Sequence, residues 1–527
     1  MRHVANDIRP GATPGTRLVG KWGYGMVWRQ GMLPGLVLAS LGLAVFGLPV
    51  AAQTTAQTTS ARKPAPAVRT TQAPVPRGAG PRTLTDALAM TYSTQPALLA
   101  ERAKLRATDE NVPQALAGWK PTVVLGGTLG YGDGVSRILS APNALGGRST
   151  ITSVTVRDFA TVQATVTQTL YTSGKVQGNV NRSRNQVMSE RATLIAQEQT
   201  SFLAAVTAYV GVIQARQLLA LQRNNEGVLA KQLQATNDRF RVGEITRTDV
   251  AQAEAALAGA RAQRETAEAN LATVRGTFRQ IVGVQPPEDM AEPQPLALPV
   301  KTEAEASAAA SNNNPTVIAA LFNDAAAKDA VDVALAALGP QIGLQGQAFQ
   351  QENSAARSSE ASGYAVTLQL QVPIYQGGAE YAAVRAARQT QQQTTRQIDD
   401  AKRTAVQNAV QALSTYLGAR AAADSTRAQI RSNEIALEGV TREAIVGSRT
   451  TLDVLNAQQL LLQSRTSLVQ NLSQLVTASY QVAQAIGRLT ARDLRLPVPL
   501  YDETAYYNAV RDRWIGLGDY ATNQPAR

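Results

Sequence analysis

Val242-Gly243-Glu244-Ile245-Thr246-Arg247-Thr248-Asp249-Val250 and Val446-Gly447-Ser448-Arg449-Thr450-Thr451-Leu452-Asp453-Val454 are two copies of one nine-residue stretch, 204 residues apart. Valine, glycine, threonine, aspartate and valine recur at matching places. Each copy interrupts a long helical pattern, with the glycine where one helix would stop and Thr-x-x-Asp where the next would start. The pattern predicts a tip between two long antiparallel helices, made twice by internal duplication.

Upstream of each tip the spacing is equal: Gly174 to Gly243 is 69 residues, and so is Gly378 to Gly447. As α-helix that length is on the order of 100 Å. Phe202, Val206, Tyr209 and Ile213 step at the spacing of a packed seam, and Val406, Val410, Leu413 and Leu417 repeat it. Equal lengths follow if the two helices lie side by side and finish at one level. A return helix runs from Thr246 through Val250, Ala253 and Leu257 to about Ile281.

Further upstream the period changes to two. Val123, Leu125, Leu129 and Tyr131 share one strand face, and Thr161, Gln163, Thr165, Thr167 and Thr169 alternate with Val162, Ala164, Val166 and Leu170. In the second copy Ile342, Leu344 and Ala348 oppose Gln341, Gln345 and Gln347. Tyr364, Val366, Leu368, Leu370, Val372 and Ile374 oppose Ala365, Thr367, Gln369 and Gln371. An apolar face backed by a polar row is what a membrane barrel strand requires. Four such strands neither close a barrel nor leave open edges in hydrocarbon, so closure must come from further copies of the chain.

Landmarks ahead of the first strand of each pair (Gln95-Pro96 and Asn314-Pro315, Lys120-Pro121 and Gly339-Pro340) repeat at an offset of 219, and those after the second strand at 204. The first hairpin therefore holds 15 extra residues, placed in a loop within Asp133–Ser153, since exposed loops tolerate insertion. Pro113 predicts a kink or early end in the helix that runs to about Leu116.

Composition excludes several functions. The 527 residues contain no cysteine and one histidine, His3, which removes thiol catalysis, zinc sites and Ser-His-Asp triads from the body of the chain; no metal and no cofactor are expected. The net charge of +12 sits mostly in the first 82 residues, where ten Lys and Arg face Asp7 alone. The remainder has 41 basic and 38 acidic residues, so no nucleic-acid partner is expected. A basic stretch, the apolar run 31–50 and Ala51-Ala52 have the order of a secretory signal.

The expected organisation is a signal peptide at 1–52 and a disordered tether at 53–82. A first repeat follows at 83–285, with strands near 121–132 and 154–171, then a linker at 286–302. A second repeat occupies 303–490, with strands near 340–350 and 363–375. The tail at 491–527 carries Tyr506, Tyr507, Val510 and Trp514 on one helical face, for docking as a short helix on the outside of the long helices.

The duplicated plan, the Asn314-Pro315 and Pro340 landmarks, the strand exit Ile374-Tyr375-Gln376-Gly377-Gly378 and the paired tips resemble the TolC family of outer-membrane efflux and type I secretion ducts. The resemblance spans about 83–490. It implies mixed α and β structure: duplicated helical hairpins forming a long α-helical tunnel, plus a transmembrane β-barrel with four strands per chain and twelve in a homotrimer. The implied surroundings are outer-membrane lipid, a periplasmic adaptor and, through it, an inner-membrane pump. No reaction is catalysed.

By position, the resemblance makes Thr248, Asp249, Arg449, Asp453 and Asn456 gate residues. Asp453 would line the narrowest aperture. Val242, Gly243, Glu244, Ile245, Thr246, Val446, Gly447, Ser448 and Thr450 become adaptor-contacting tips. Two positions depart from the family pattern: Ala444 stands in place of a tyrosine and Asn456 in place of a second ring aspartate, which implies fewer locking bonds and less negative charge. Asp249 and Asp453 also suit plain capping boxes, a reading compatible with the gate. Arg449 has no capping role and calls for an anionic partner. The competing function is a non-channel periplasmic coiled-coil adaptor or scaffold, against which the four alternating strands stand.

Overall fold

A computed structural model describes residues 80–518 apart from 141, 143, 145 and 355–357. The expected signal peptide and residues 53–79 of the tether lie outside the described residues. The first repeat comprises α1 (Leu84–Thr94), α2 (Pro96–Asp109), α3 (Asn111–Leu116), β1 (Thr122–Leu139), β2 (Thr150–Tyr171), α4 (Lys175–Arg241) and α5 (Arg247–Val282). The second comprises α6 (Glu303–Asn313), α7 (Pro315–Ala336), β3 (Gln341–Glu352), β4 (Glu360–Gln371), α8 (Ala379–Ile445) and α9 (Thr451–Ala485), and α10 (Ala505–Val510) follows.

The two long helices, α4 and α8, have 67 residues each. Each begins after a left-handed glycine, Gly174 at φ 91° and Gly378 at φ 84°, which turns the chain out of its strand. α5 packs along α4 and α9 along α8. One apolar stretch of α4 is long enough to cross a membrane, yet most of it is buried. Phe202, Val206, Tyr209 and Val212 are inaccessible there, packed with Leu88, Leu98, Phe278 and Val282.

Both X-Pro landmarks act alike. Proline lacks the N–H that a first helical turn leaves unpaired, so Pro96 and Pro315 start α2 and α7. Both junctions lie against the ends of the return helices: the Thr94 hydroxyl oxygen is 3.3 Å from Val282 O, and Asn314 Nδ2 donates to Ala485 O (3.0 Å). Pro113 sits inside α3; the break precedes it at Glu110, because the missing donor is harmless only in a first turn.

The four strands form one antiparallel sheet in sequence order. The apolar row lies bare, with Leu125, Leu129, Tyr364 and Leu368 all exposed, and the outer edges of β1 and β4 are unpaired within the chain. Two expected bounds are corrected. Residues 133–153 do not form one long loop: β1 continues to Leu139 and β2 starts at Thr150, paired through Val135↔Val154 and Ile138↔Ile151. The insertion thus makes the first hairpin taller, with strands of 18 and 22 residues against 12 and 12. β4 stops at Gln371 instead of running to 375, since Pro373 has no ladder donor. At the matching level of the first repeat, β2 slips register between Thr169 and Tyr171.

Residues 80–82 are also corrected, being ordered where disorder was expected. Pro81 is buried, Ala291 N–H donates to Arg82 O (2.8 Å), and Arg82 pairs with Asp289 (3.0 Å). Buried Tyr209 places its hydroxyl 2.8 Å from the carbonyls of Arg82 and Ala291, and desolvation raises its pKa to about 12. Arg216 clasps Pro287 O and Glu288 O at 2.5 and 2.8 Å, holding the linker on α4.

The tail packs back on the first repeat. Ala491 N–H donates to Glu198 (2.6 Å), Tyr501 N–H to Tyr92 Oη (2.9 Å) and the Tyr506 hydroxyl to Glu110 (2.8 Å). The Arg102 guanidinium lies 4.3 Å from the Tyr92 ring centroid and 5.2 Å from that of Tyr501. Beneath α10, Asp109 is fully buried with neither carboxylate oxygen hydrogen-bonded. Burial raises its pKa to about 7; Arg191 and Arg106 oppose the rise, and Glu110 and Glu503 add to it. The expected four-residue apolar face is shorter than foreseen: α10 ends at Val510, the one buried member, while Trp514 lies beyond it against Lys120 at 5.0 Å.

Candidate functional site at the helix tips

Both tips fold by the same local rules. At the first, Gly243 (φ 79°) donates to Phe240 O (3.0 Å) and Glu244 N–H to Arg239 O (3.0 Å); at the second, Gly447 (φ 80°) donates to Ala444 O (3.3 Å) and Ser448 N–H to Glu443 O (3.0 Å). This glycine-centred double bond satisfies the carbonyls that a helix end leaves free. The next helix is capped at once. Thr246 accepts from Asp249 N–H, and Asp249 accepts from Thr246 N–H (3.0 Å) and hydroxyl (2.7 Å). Thr450 and Asp453 repeat this, with 3.0 and 2.8 Å for the bonds to the carboxylate.

These bonds set the charge state of both aspartates. The Thr246 hydroxyl and then its backbone N–H hold Asp249 below the usual carboxylate range. For Asp453 the Thr450 backbone N–H comes first and the hydroxyl second, with Arg449 assisting.

The tips differ in their ion pairs. Arg239 at the end of α4 meets Glu244 on the turn (2.9 Å), whereas Glu443 at the end of α8 meets Arg449 on the turn (2.9 Å). Arg239 and Glu443 occupy equivalent positions, 204 apart, with opposite charge. Glu443 is thus the anionic partner of Arg449 within the chain, and it raises the Arg449 pKa. Among the described residues no ion pair joins Arg449 to Asp249 in one chain. Sequence reasoning missed Arg239 and Glu443, although their reversed charge at a fixed offset was visible.

Thr248 and Asn456 face solvent, and Ala444 is buried. Val242 and Val446 are 72% and 79% exposed, with Ile445 beside them at 74%, so apolar side chains crown both turns. Leu455 of α9 packs against Leu229, Leu257 and Ala260, which brings the second tip's return helix against the first helical pair. Among the described residues no cluster of three His, Cys, Asp or Glu could hold a metal ion.

The chain matches the outer membrane efflux protein family over residues 88–284 and 306–488, which takes in both tips and all four strands. It belongs to that family. The chain is 34% identical over 438 residues to the outer membrane efflux protein BepC of Brucella suis biovar 1, covering 82% of this chain and 92% of BepC. It is 27% identical over 309 residues to the outer membrane protein TolC of Vibrio cholerae, covering 57% and 70%. The crystal structure of VceC from Vibrio cholerae superposes with a TM-score of 0.66 at 19% identity, covering 77% of this chain and 96% of VceC.

The fold is therefore that of the TolC-like channels, a helical tunnel joined to a transmembrane β-barrel, and the chain resides in the outer membrane with its tunnel extending into the periplasm. A non-channel scaffold is set aside by the same matches.

Proposed function

We propose that three copies of the chain close one barrel of twelve strands and one tunnel, and that this homotrimer is the passive exit duct of a tripartite efflux pump or type I secretion system. The observation that carries this reading is the sheet: four strands with a bare apolar row and two unpaired outer edges cannot rest in lipid alone. Eight strands enclose little more than side chains, and twelve leave a channel. The exposed Val242, Ile445 and Val446 would seat a periplasmic adaptor, which links the duct to an inner-membrane pump supplying the energy.

The tips would also be the gate. Arg449 has two carboxylates to choose between, Glu443 in its own tip and Asp249 of a neighbouring helix pair, and the closed state would favour Asp249. Thr248 stands beside Asp249 at that junction, while Asp453 and Asn456 would line the aperture. Planar-bilayer recording on trimer purified from the outer-membrane fraction tests the reading. A low closed conductance that Arg449→Ala raises severalfold is expected; a monomer without channel activity would refute the duct.

A further inference from the structure

Where all four strands run side by side, the polar face of the sheet is built of Thr, Gln, Gly and Ala with Val124, and it carries two aromatic side chains at the end of the apolar row. Phe159 shares its face with Thr161, Gln163 and Thr165, and Phe349 with Gln345 and Gln347. Each faces a glycine directly across the strand pair: Gly130↔Phe159 in the first hairpin and Phe349↔Gly363 in the second.

The glycines are filled by the rings. A Cβ on Gly130 would lie 2.3 Å from Phe159 Cζ, and one on Gly363 would lie 3.3 Å from Phe349 Cζ. The two pairs are also the same pair exchanged. With the offsets of the duplication, Gly130 corresponds to Phe349 and Phe159 to Gly363. The phenyl has changed strands between copies while its glycine partner changed with it.

Depth follows from the opposite face. Tyr131 and Tyr364 adjoin the two glycines and point outward, 67% and 86% exposed, at the end of the apolar band where membrane barrels carry an aromatic girdle. The phenyls therefore lie on the inner wall at the girdle's level. Covering a glycine is itself stabilising in a strand, yet both rings are only half-buried, which leaves one face open to the lumen.

We propose that the Phe159–Gly130 and Phe349–Gly363 pairs form an aromatic belt inside the barrel that binds apolar aromatic cations in transit by face contact. The inference rests on the trimeric duct, in which the belt has six rings at one level. Rings laid flat over glycine offer their π-faces without narrowing the passage, and a cation over a phenyl face gains about 0.5–1 kcal/mol at exposed sites, more when desolvated.

The test is current block of the purified channel in a planar bilayer by tetraphenylphosphonium, set against tetramethylammonium in the same channel. The ratio of the two blocking constants is the readout, because it cancels changes in open conductance. The wild type should favour tetraphenylphosphonium, and Phe159→Ser with Phe349→Ser should reduce that preference roughly fivefold. Should the serine variant fail to assemble, Phe159→Leu with Phe349→Leu keeps the glycines covered and should still reduce the preference roughly threefold. Exchanging the first pair, Gly130→Phe with Phe159→Gly, copies the second hairpin's arrangement and should retain the preference. A ratio unchanged by removal of both rings would overturn the belt while leaving the duct intact. No KCl conductance in the wild type would overturn the duct and the belt together.

Discussion

The tips and the collar around α2, α4 and the tail use the same side chains to opposite effect. At the tips Asp249 and Asp453 are half-exposed, each tied to one threonine, with their pKa values lowered by those bonds. In the collar Asp109 is buried and Glu198 half-buried, and desolvation raises both although Glu198 accepts the Ala491 N–H. Arginine follows suit: Arg102 lies between two tyrosine rings, whereas Arg239 and Arg449 hold half-exposed glutamates. Exposed pairs contribute roughly 0–1 kcal/mol and can change partner, while buried ones are fixed by what surrounds them. Rigidity is thus concentrated at the collar and adaptability at the tips.

Experiments that break this contrast range from large to small. Phe202→Ala opens a cavity in the collar core and should cost about 3–5 kcal/mol, read as a lower denaturation midpoint. Asp109→Asn should stabilise the protein by up to about 4 kcal/mol above pH 7. The sign follows from a folded pKa of about 7 against an unfolded value near 3.9. The folded state binds the proton more tightly, so wild-type stability falls as pH rises between those values and the advantage of asparagine vanishes below the lower one. A midpoint difference independent of pH would place the effect elsewhere.

At the tips, Gly243→Ala and Gly447→Ala each force a residue with a Cβ to φ near +80° and should cost about 1 kcal/mol of local stability, equally in both copies, by hydrogen exchange of the adjoining turns. The capping boxes should loosen only in acid: carboxylates with lowered pKa values keep their contribution above about pH 4 and lose it as pH falls through the folded values. Smallest in stability, and sharpest for function, is the pair Glu443→Gln and Arg239→Gln. Both should shift the denaturation midpoint by under about 0.5 kcal/mol. In the proposed gate only Glu443→Gln should lower closed-state conductance, by freeing Arg449 for Asp249.

What the sequence disclosed was whatever chemistry is local. The tips were legible because a glycine stop and a Thr-x-x-Asp start lie within seven residues, Gly243 to Asp249, and strand β4 because Tyr364 to Leu370 alternate strictly. The upper part of the first hairpin was not, since Gly134, Ser136 and Ser153 favour turns and their extension rests on partners such as Val135↔Val154 across the sheet. The Arg449–Glu443 pair escaped notice because its members straddle a turn, where helical periodicity no longer says which side chains meet. The collar was hidden for a different reason: Tyr501 reaches Tyr92 from 409 positions away, and no pattern in either segment names the other.

The reversed ion pairs have a geometric outcome. In a closed ring where first and second tips alternate, positive helix ends with negative turns follow negative helix ends with positive turns. A partner whose charges suit one seating would, if rotated by a single tip, meet repulsion at every pair. The proposed ring would thereby be keyed: its backbone would repeat at every tip, these ion pairs only at every second, and a partner could seat only at settings two tips apart.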